Sequence, residues 1–366
     1  MNKVIKNMNW KKYYFLLFIF LSLIAEYKFF TSSFLAYLLA ISYIVFNIKK
    51  VNLSKVQFLY FISFFFYLFT VVLYSNDTVI LLKNIKFWFG FFLIYLFFKC
   101  FKENFNYLFF FRFCCLIIII EAILINIFIN QDSIYLRPTT AVFFGFYERP
   151  PSICGIPTVS SIFIVLLFYF LNLSLKKISY NDQFLFFIAL ACLFSMAGFL
   201  LTYVIMILFF FDKSDKNLIY WNNFLSFTIL SIIVILTLFF LENLFFNDFF
   251  NFQKLTPSYF YITVSSHLSS LSNIFEINSS YLEFLIGSQI KMLNTSGHNA
   301  YSVFFLQNGI IGILMFFLFF LSIFKFSKND TFKFLIILLS CFHYYSLGNI
   351  LVQIIIAKIL NHNQRN

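Results

Sequence analysis

Residues 184–211 read FLFFIALACLFSMAGFLLTYVIMILFFF and contain no charged side chain. As one α-helix they would be about 42 Å long, whereas the hydrocarbon core of a bilayer is about 30 Å thick. Two lysines precede the stretch, at 176–177, and Lys213 and Lys216 follow it, so the positive-inside rule predicts that both ends face the cytoplasm. We therefore predict two short helices that reverse direction at the small residues 195–198.

The whole chain shares this apolar character. Of its 366 residues, 62% are hydrophobic and 11% are charged, and the mean hydropathy is +0.90, which indicates a polytopic membrane protein and excludes an ordinary soluble domain. The net charge is +12, but the basic residues form short clusters between apolar segments, so we expect no nucleic-acid partner. The six cysteines form no CxxC pair, so the sequence predicts neither a zinc site nor a disulfide framework.

Twelve apolar segments bounded by polar residues predict the transmembrane helices. They are 13–27, 29–47, 57–75, 79–98, 107–129, 155–173, 184–196, 198–211, 218–241, 301–324, 332–345 and 347–360. The last two form a second long stretch, which we divide at 346–349. We predict an all-α, polytopic integral membrane protein with about 12 transmembrane helices, two pairs of them short. A single transmembrane domain over 1–366, with both termini cytoplasmic, puts most Lys and Arg on the cytoplasmic side.

Two polar segments on the outer side are too long to be simple turns. They are a smaller loop, 130–154, and a large loop, 242–300. Long connections in compact structures are usually functional or disordered, and the large loop contains too many aromatic and aliphatic residues to be disordered. We predict that these two loops carry the chemistry and that the large loop folds over the membrane surface.

Arginine is rare in this chain, and Arg137 and Arg149 are the two on the outer side. A guanidinium binds two oxygens of a phosphate or carboxylate at once, so these positions indicate recognition of an anion. The alternatives are an interfacial anchor and a local pair between Glu148 and Arg149. His267 and Lys291 add candidate donors in the large loop, although a solvated loop surface explains both equally well.

His298 immediately precedes the apolar run that begins at residue 301, which places it at the outer end of that predicted helix. A neutral imidazole, with an ordinary pKa of about 6.5, can accept a proton at ambient pH. Asn299 can cap the first turn, and Tyr301 lies at the same end of the helix. The alternative is a capping and interface cluster with no catalytic role.

The outer loops contain no HExxH, no DxD-like pair and no Gly-rich phosphate loop, so we predict no metal and no cofactor. Their acidic residues show no pair spacing that would indicate a glycosidase dyad.

The segment 287–320, GSQIKMLNTSGHNAYSVFFLQNGIIGILMFFLFF, runs from a glycine through His-Asn to Gly309 and Gly312, which are small enough for close helix packing. This segment resembles the characteristic late segment of the O-antigen polymerase and O-antigen ligase superfamily of bacterial envelope glycosyltransferases. The segment 137–155 is similar to the earlier outer loop of that family. The small residues 195–198 fall where the family has a short helical pair.

The resemblance implies a location in the bacterial inner membrane and transfer of a glycan from undecaprenyl pyrophosphate at the periplasmic face, with no cofactor. It implies that His298 acts on the acceptor hydroxyl and that Arg137 and Arg149 bind the pyrophosphate. The further substrate-binding candidates are Glu148, Asn299, Tyr301, His267 and Lys291. The implied partners are undecaprenyl-pyrophosphate-linked oligosaccharide, membrane lipids and a chain-length regulator protein.

This chain departs from the family pattern in the smaller loop. Arg137 lies farther from Glu148 than the family arginine does, and Arg149 stands where a proline usually follows the glutamate. Either arginine therefore remains a candidate for the pyrophosphate site.

We predict a polymerase that joins lipid-linked repeat units into O-antigen or a related surface polysaccharide. The alternative within the family is an O-antigen ligase, which transfers glycan to lipid A core and shares the donor. The alternative from another class is a flippase or transporter for lipid-linked oligosaccharide, for which Glu121 is the clearest membrane-embedded carboxylate. The sequence shows no internal repeat of the kind found in many transporters.

Overall fold

Helices form wherever the described chain is apolar, because a backbone surrounded by apolar groups must pair its own N–H and C=O groups. The computed structural model describes residues 2–26, 33–51, 53–74, 86–101, 105–127, 149–175, 178–211, 281–287, 300–323, 328–340 and 346–362. Their helices are α1 (Asn2–Leu23), α2 (Ser33–Phe46), α3 (Lys55–Tyr74), α4 (Phe91–Cys100), α5 (Tyr107–Ile127), α6 (Pro157–Ser174), α7 (Tyr180–Leu193), α8 (Met196–Phe211), α9 (Tyr281–Ile286), α10 (Ala300–Ile323), α11 (Lys328–Ser340) and α12 (Ile350–Asn361).

The prediction of an all-α fold is confirmed for these residues, which contain no strand. Every predicted apolar segment except 218–241, which lies outside the described residues, overlaps a helix. Two of the described helices, α5 and α6, are long and apolar enough to cross a membrane, and several others are apolar but shorter. The number of membrane spans and the location of the two termini stay predictions.

The chain divides into two compact units. The first unit comprises Met1–Ala25, Phe30–Phe105 and Val264–Asn366, and the second comprises Glu26–Phe29 and Asn106–Thr263. The first unit therefore contains α1–α4 and α9–α12, whereas the second contains α5–α8.

A buried glutamine joins three elements at the centre of the first unit. Gln353 of α12 is fully buried, and its side-chain oxygen accepts a hydrogen bond from the Tyr37 hydroxyl of α2 at 2.7 Å. Its amide nitrogen donates to the carbonyl oxygens of Leu347, at 2.8 Å, and Lys86, at 3.3 Å. These bonds satisfy a side chain that would be costly to bury alone. They also tie α2 and the π-helical turn before α4 to the start of α12.

Ring contacts show that α5 and α6 are antiparallel in the second unit. The ring centroids of Tyr107 and Phe170 are 5.0 Å apart, and those of Phe110 and Phe163 are 6.3 Å apart. At the end where α5 begins, Arg112 Nε lies 2.6 Å from Oδ1 of the buried Asp182, the third residue of α7. This ion pair fixes the start of α7 beside the start of α5.

The predicted division of 184–211 into two short helices is confirmed as α7 and α8, while their orientation in the membrane stays a prediction. The turn between them lies at Phe194, whose φ of 40° is left-handed, and Ser195, whose hydroxyl accepts a hydrogen bond from the Gly198 N–H at 3.5 Å. Gly198 allows a close approach to α6, since a β-carbon there would lie 2.7 Å from the Ser161 Cβ. The second predicted break, at 346–349, is also present, because a 3₁₀ turn over Ser346–Gly348 precedes α12 and Asn349 caps it.

An unpredicted interruption lies inside α10. Gly309 has φ 60° and ψ −166°, a conformation that only glycine adopts readily. A β-carbon there would lie 2.6 Å from the Gly287 backbone nitrogen and would also meet the Leu285 carbonyl. Gly309 therefore does permit close packing, as predicted, but its neighbour is the backbone at the end of α9, which belongs to the predicted large loop. At 1.5 Å per residue, this contact is about 14 Å from the first residue of α10.

Replacing Gly309 with alanine should destabilise the protein by about 2–5 kcal/mol, because the β-carbon combines backbone strain with a clash against α9. The matched control is Gly312→Ala, at a glycine with helical backbone in the same helix, which should destabilise the protein less because it adds no backbone strain. Thermal unfolding in detergent measures both effects. Equal unfolding midpoints for the two variants would contradict the packing role of Gly309.

Candidate functional site

Of the residues predicted to form the site, Arg149 is the one whose side chain the structure describes. Tyr301 lies in the first turn of α10, in the first unit, whereas Arg149 belongs to the second unit. The other candidates lie outside the described residues; they are Arg137, Glu148, His267, Lys291, His298 and Asn299. The surroundings of Arg149 are therefore the described part of the candidate site.

Arg149 begins a tight turn that leads into α6. A 3₁₀ turn covers Ser152–Cys154, and Gly155 ends it with a left-handed φ of 72°, which glycine adopts without strain. Ser152 also has a positive φ, 55°, which is uncommon for a side chain other than glycine. Pro157 is the first residue of α6, where its missing N–H is not needed.

Ser160 of α6 holds this turn in place. Its hydroxyl donates to the Pro151 carbonyl at 2.9 Å and accepts a hydrogen bond from the Cys154 N–H at 3.2 Å. Ser160 is fully buried, so these bonds pair two backbone groups that water does not reach. Ser152 is also fully buried, and its hydroxyl has no hydrogen-bond partner among the described residues.

The guanidinium of Arg149 joins the turn to the short helical pair. Its Nη1 donates to the Phe194 carbonyl at 3.2 Å. Phe194 follows the last residue of α7, where unpaired carbonyls give a helix a partial negative charge that a cation stabilises. The structure therefore brings together two segments 45 residues apart in sequence, the turn before α6 and the turn between α7 and α8.

The turn lies towards the end of α5 at Ile127, because α5 and α6 are antiparallel and the turn bonds to the first turn of α6.

Buried polar groups concentrate at this level of the second unit. The hydroxyl side chains are Ser152, Thr158, Ser160, Ser161, Ser195 and Thr202. The first turns of α6 and α8 meet here, since Gly198 packs on Ser161. Helix starts carry partial positive charge, and together with a guanidinium they make a setting that favours an anionic group such as a phosphate.

Ser160 and the Phe194 carbonyl are parts of this arrangement that sequence reasoning missed. The run Pro150-Pro151-Ser152 and the pair Gly155, Pro157 mark a turn. The sequence pattern does not show that Ser160 of α6 bonds to this turn. It also does not show that Arg149 bonds to the end of α7.

Comparisons of the chain with protein-family models, with curated proteins and with solved structures found no match.

Replacing Ser160 with alanine should loosen the turn, because it leaves the Pro151 carbonyl and the Cys154 N–H buried without this partner, at about 1–3 kcal/mol for each group. The thiol of Cys154, buried in the native protein, should then react faster with a maleimide, as measured by mass spectrometry of the labelled peptide. Ser161→Ala is the matched control, because Ser161 is equally buried but bonds only to the Thr158 carbonyl of its own helix, at 2.7 Å. Equal labelling of Cys154 in the two variants would show that Ser160 does not hold the turn.

Proposed function

We propose that the protein is a polymerase that joins undecaprenyl-pyrophosphate-linked oligosaccharide repeat units into O-antigen or a related surface polysaccharide. It would act at the periplasmic face of the bacterial inner membrane. The observation that carries the proposal is the hydrogen bond from Arg149 to Phe194, because it unites the arginine segment and the short helical pair that separately resemble the glycosyltransferase family. The two helices long enough to cross a membrane support a membrane location.

The surroundings of Arg149 suit the pyrophosphate of the donor. When the acceptor hydroxyl attacks the anomeric carbon, the bond from that carbon to the pyrophosphate oxygen breaks and its electrons stay on the leaving group. A guanidinium and the starts of α6 and α8 stabilise the negative charge that develops there. Ser152 and Cys154 of the same turn are buried, and burial lowers the local dielectric constant, which strengthens this stabilisation.

His298 is proposed as the base that takes the proton of the acceptor hydroxyl. It stands two residues before α10 begins, and Tyr301 lies in the first turn of that helix. In the same helix, Gly309 packs α10 against the backbone at the end of α9. The proposal requires that His298 lie within hydrogen-bond reach of the acceptor hydroxyl.

His298→Ala should abolish chain extension while the protein remains inserted at normal levels, because the hydroxyl loses its proton acceptor. Electrophoresis of surface glycan from the source bacterium should then show core capped with a single repeat unit. Core without any repeat unit would indicate the ligase alternative, and retention of the lipid-linked unit on the cytoplasmic leaflet would indicate a flippase. His362→Ala, just beyond α12, is the control and should leave long chains intact. Long chains in the His298 variant would rule out the catalytic assignment.

Arg149→Lys should reduce chain extension by about tenfold or more, although the charge is kept, because an ammonium cannot bind two phosphate oxygens in one plane. Arg112→Lys is the control, since Arg112 pairs with Asp182 at the opposite end of the short helix α7. The average number of repeat units per chain is the measurement, at matched protein levels. An Arg149→Lys protein as active as the Arg112→Lys protein would reduce Arg149 to a structural anchor.

A further inference from the structure

Several helix ends gather at one end of the first unit. The ring of Tyr43, near the end of α2, lies 4.8 Å from that of Phe101, which follows α4. The ring of Trp10 in α1 lies 6.4 Å from Tyr43. Lys99, in the last turn of α4, donates to the Gln57 side-chain oxygen near the start of α3 at 3.3 Å. We call this group of helix ends, from α1 to α4, the basic end.

The basic end is dense in lysine. Residues 1–12, 47–56 and 99–105 contain nine lysines and one acidic residue, Glu103. The lysine side chains that the structure describes there are exposed or half-buried; they are Lys11, Lys12, Lys49, Lys50, Lys55 and Lys99. The hydrogen bond of Lys50 goes to the neutral side-chain oxygen of Asn47, at 2.9 Å, which leaves its charge in place. This end therefore presents a concentrated positive surface.

The aromatic rings at the basic end are of the kind found at the level of lipid headgroups. Trp10 is 44% exposed, and its ring meets Tyr14 at 6.0 Å and Tyr43 at 6.4 Å. Tryptophan and tyrosine concentrate at the level of lipid headgroups, where an apolar ring and a polar group are both accommodated. Lysines just beyond such a belt reach the phosphates of the headgroups with their ammonium groups.

We propose that the basic end binds the headgroups of anionic phospholipids in preference to zwitterionic ones. The lysines recognise the net negative charge of the headgroup. Both lipid classes carry a phosphate, but in a zwitterionic headgroup a positive group neutralises it, whereas in an anionic headgroup it does not. An attraction of about 1 kcal/mol for each lysine corresponds to about fivefold in relative affinity. The inference rests on the membrane location in the proposed function and is independent of the glycosyl transfer.

Trp10 provides the probe. With Trp88→Phe and Trp221→Phe, the remaining tryptophan fluorescence comes from Trp10. The full-length protein is reconstituted in vesicles that mix ordinary phosphatidylcholine with brominated phosphatidylcholine or brominated phosphatidylglycerol. Quenching of Trp10 by each brominated lipid gives the relative affinity of the two lipids at this end. We expect a preference of about fivefold or more for phosphatidylglycerol, weakening as salt is added.

Substituting Lys11, Lys12, Lys49 and Lys50 by glutamine should bring this preference close to one. The same four positions changed to arginine should retain it, which separates loss of charge from loss of folding. Lys86→Gln is the matched control, because Lys86 precedes α4 and lies about 20 Å along the chain from Lys99. It should leave the preference unchanged.

Two results would overturn the inference in different ways. Equal quenching by the two brominated lipids in the unaltered protein would remove the headgroup preference and leave the membrane location standing. No quenching by either lipid, with the protein folded and associated with vesicles, would show that Trp10 is not at the bilayer, which contradicts the inference and this part of the predicted topology together.

Discussion

The constraint on which this structure depends is that a polar group buried among apolar side chains must find its hydrogen-bond partner within the chain. Asn172 solves this locally, because its amide donates to the carbonyl four residues earlier, at 2.9 Å. Gln353 and Ser160 solve it across elements, and in doing so they decide which elements meet. The packing of phenylalanine against phenylalanine fills space, whereas these few polar contacts specify the arrangement.

The positions of the helices could be predicted from the sequence because apolar runs and small-residue breaks act locally. The break at Ser195 could be predicted because the apolar run 184–211 is too long for one span and has lysines beyond both ends. The break at Ser346 could be predicted because the last two apolar segments also form one long stretch. The interruption at Gly309 could not be predicted, because it lies inside one uninterrupted run and has its cause in the backbone of α9. The separation into two units was also not predicted, since it depends on contacts between distant segments.

The candidate site shows the same limit. A rare arginine and a row of turn residues identify the segment around Arg149. The sequence pattern does not show which group the arginine contacts. Its partner is the backbone carbonyl of Phe194. Every residue has such a carbonyl, so the residue type at this position does not predict the contact. The ion pair of Arg112 with Asp182 is similar, because it depends on α5 and α7 beginning at the same end of the second unit. His298 and Arg137, proposed from the family resemblance, stay predictions.

If α7 and α8 cross the membrane as predicted, their shortness has a consequence for the lipid around them. Helices of 14 and 16 residues measure about 21 and 24 Å, less than the hydrocarbon thickness of about 30 Å. Such a hydrophobic mismatch is relieved by a local dimple in one leaflet or by water that enters above the helix ends. Under the proposed function, such a depression would let the headgroup of a lipid-linked substrate reach Arg149 while its hydrocarbon tail remains in the bilayer.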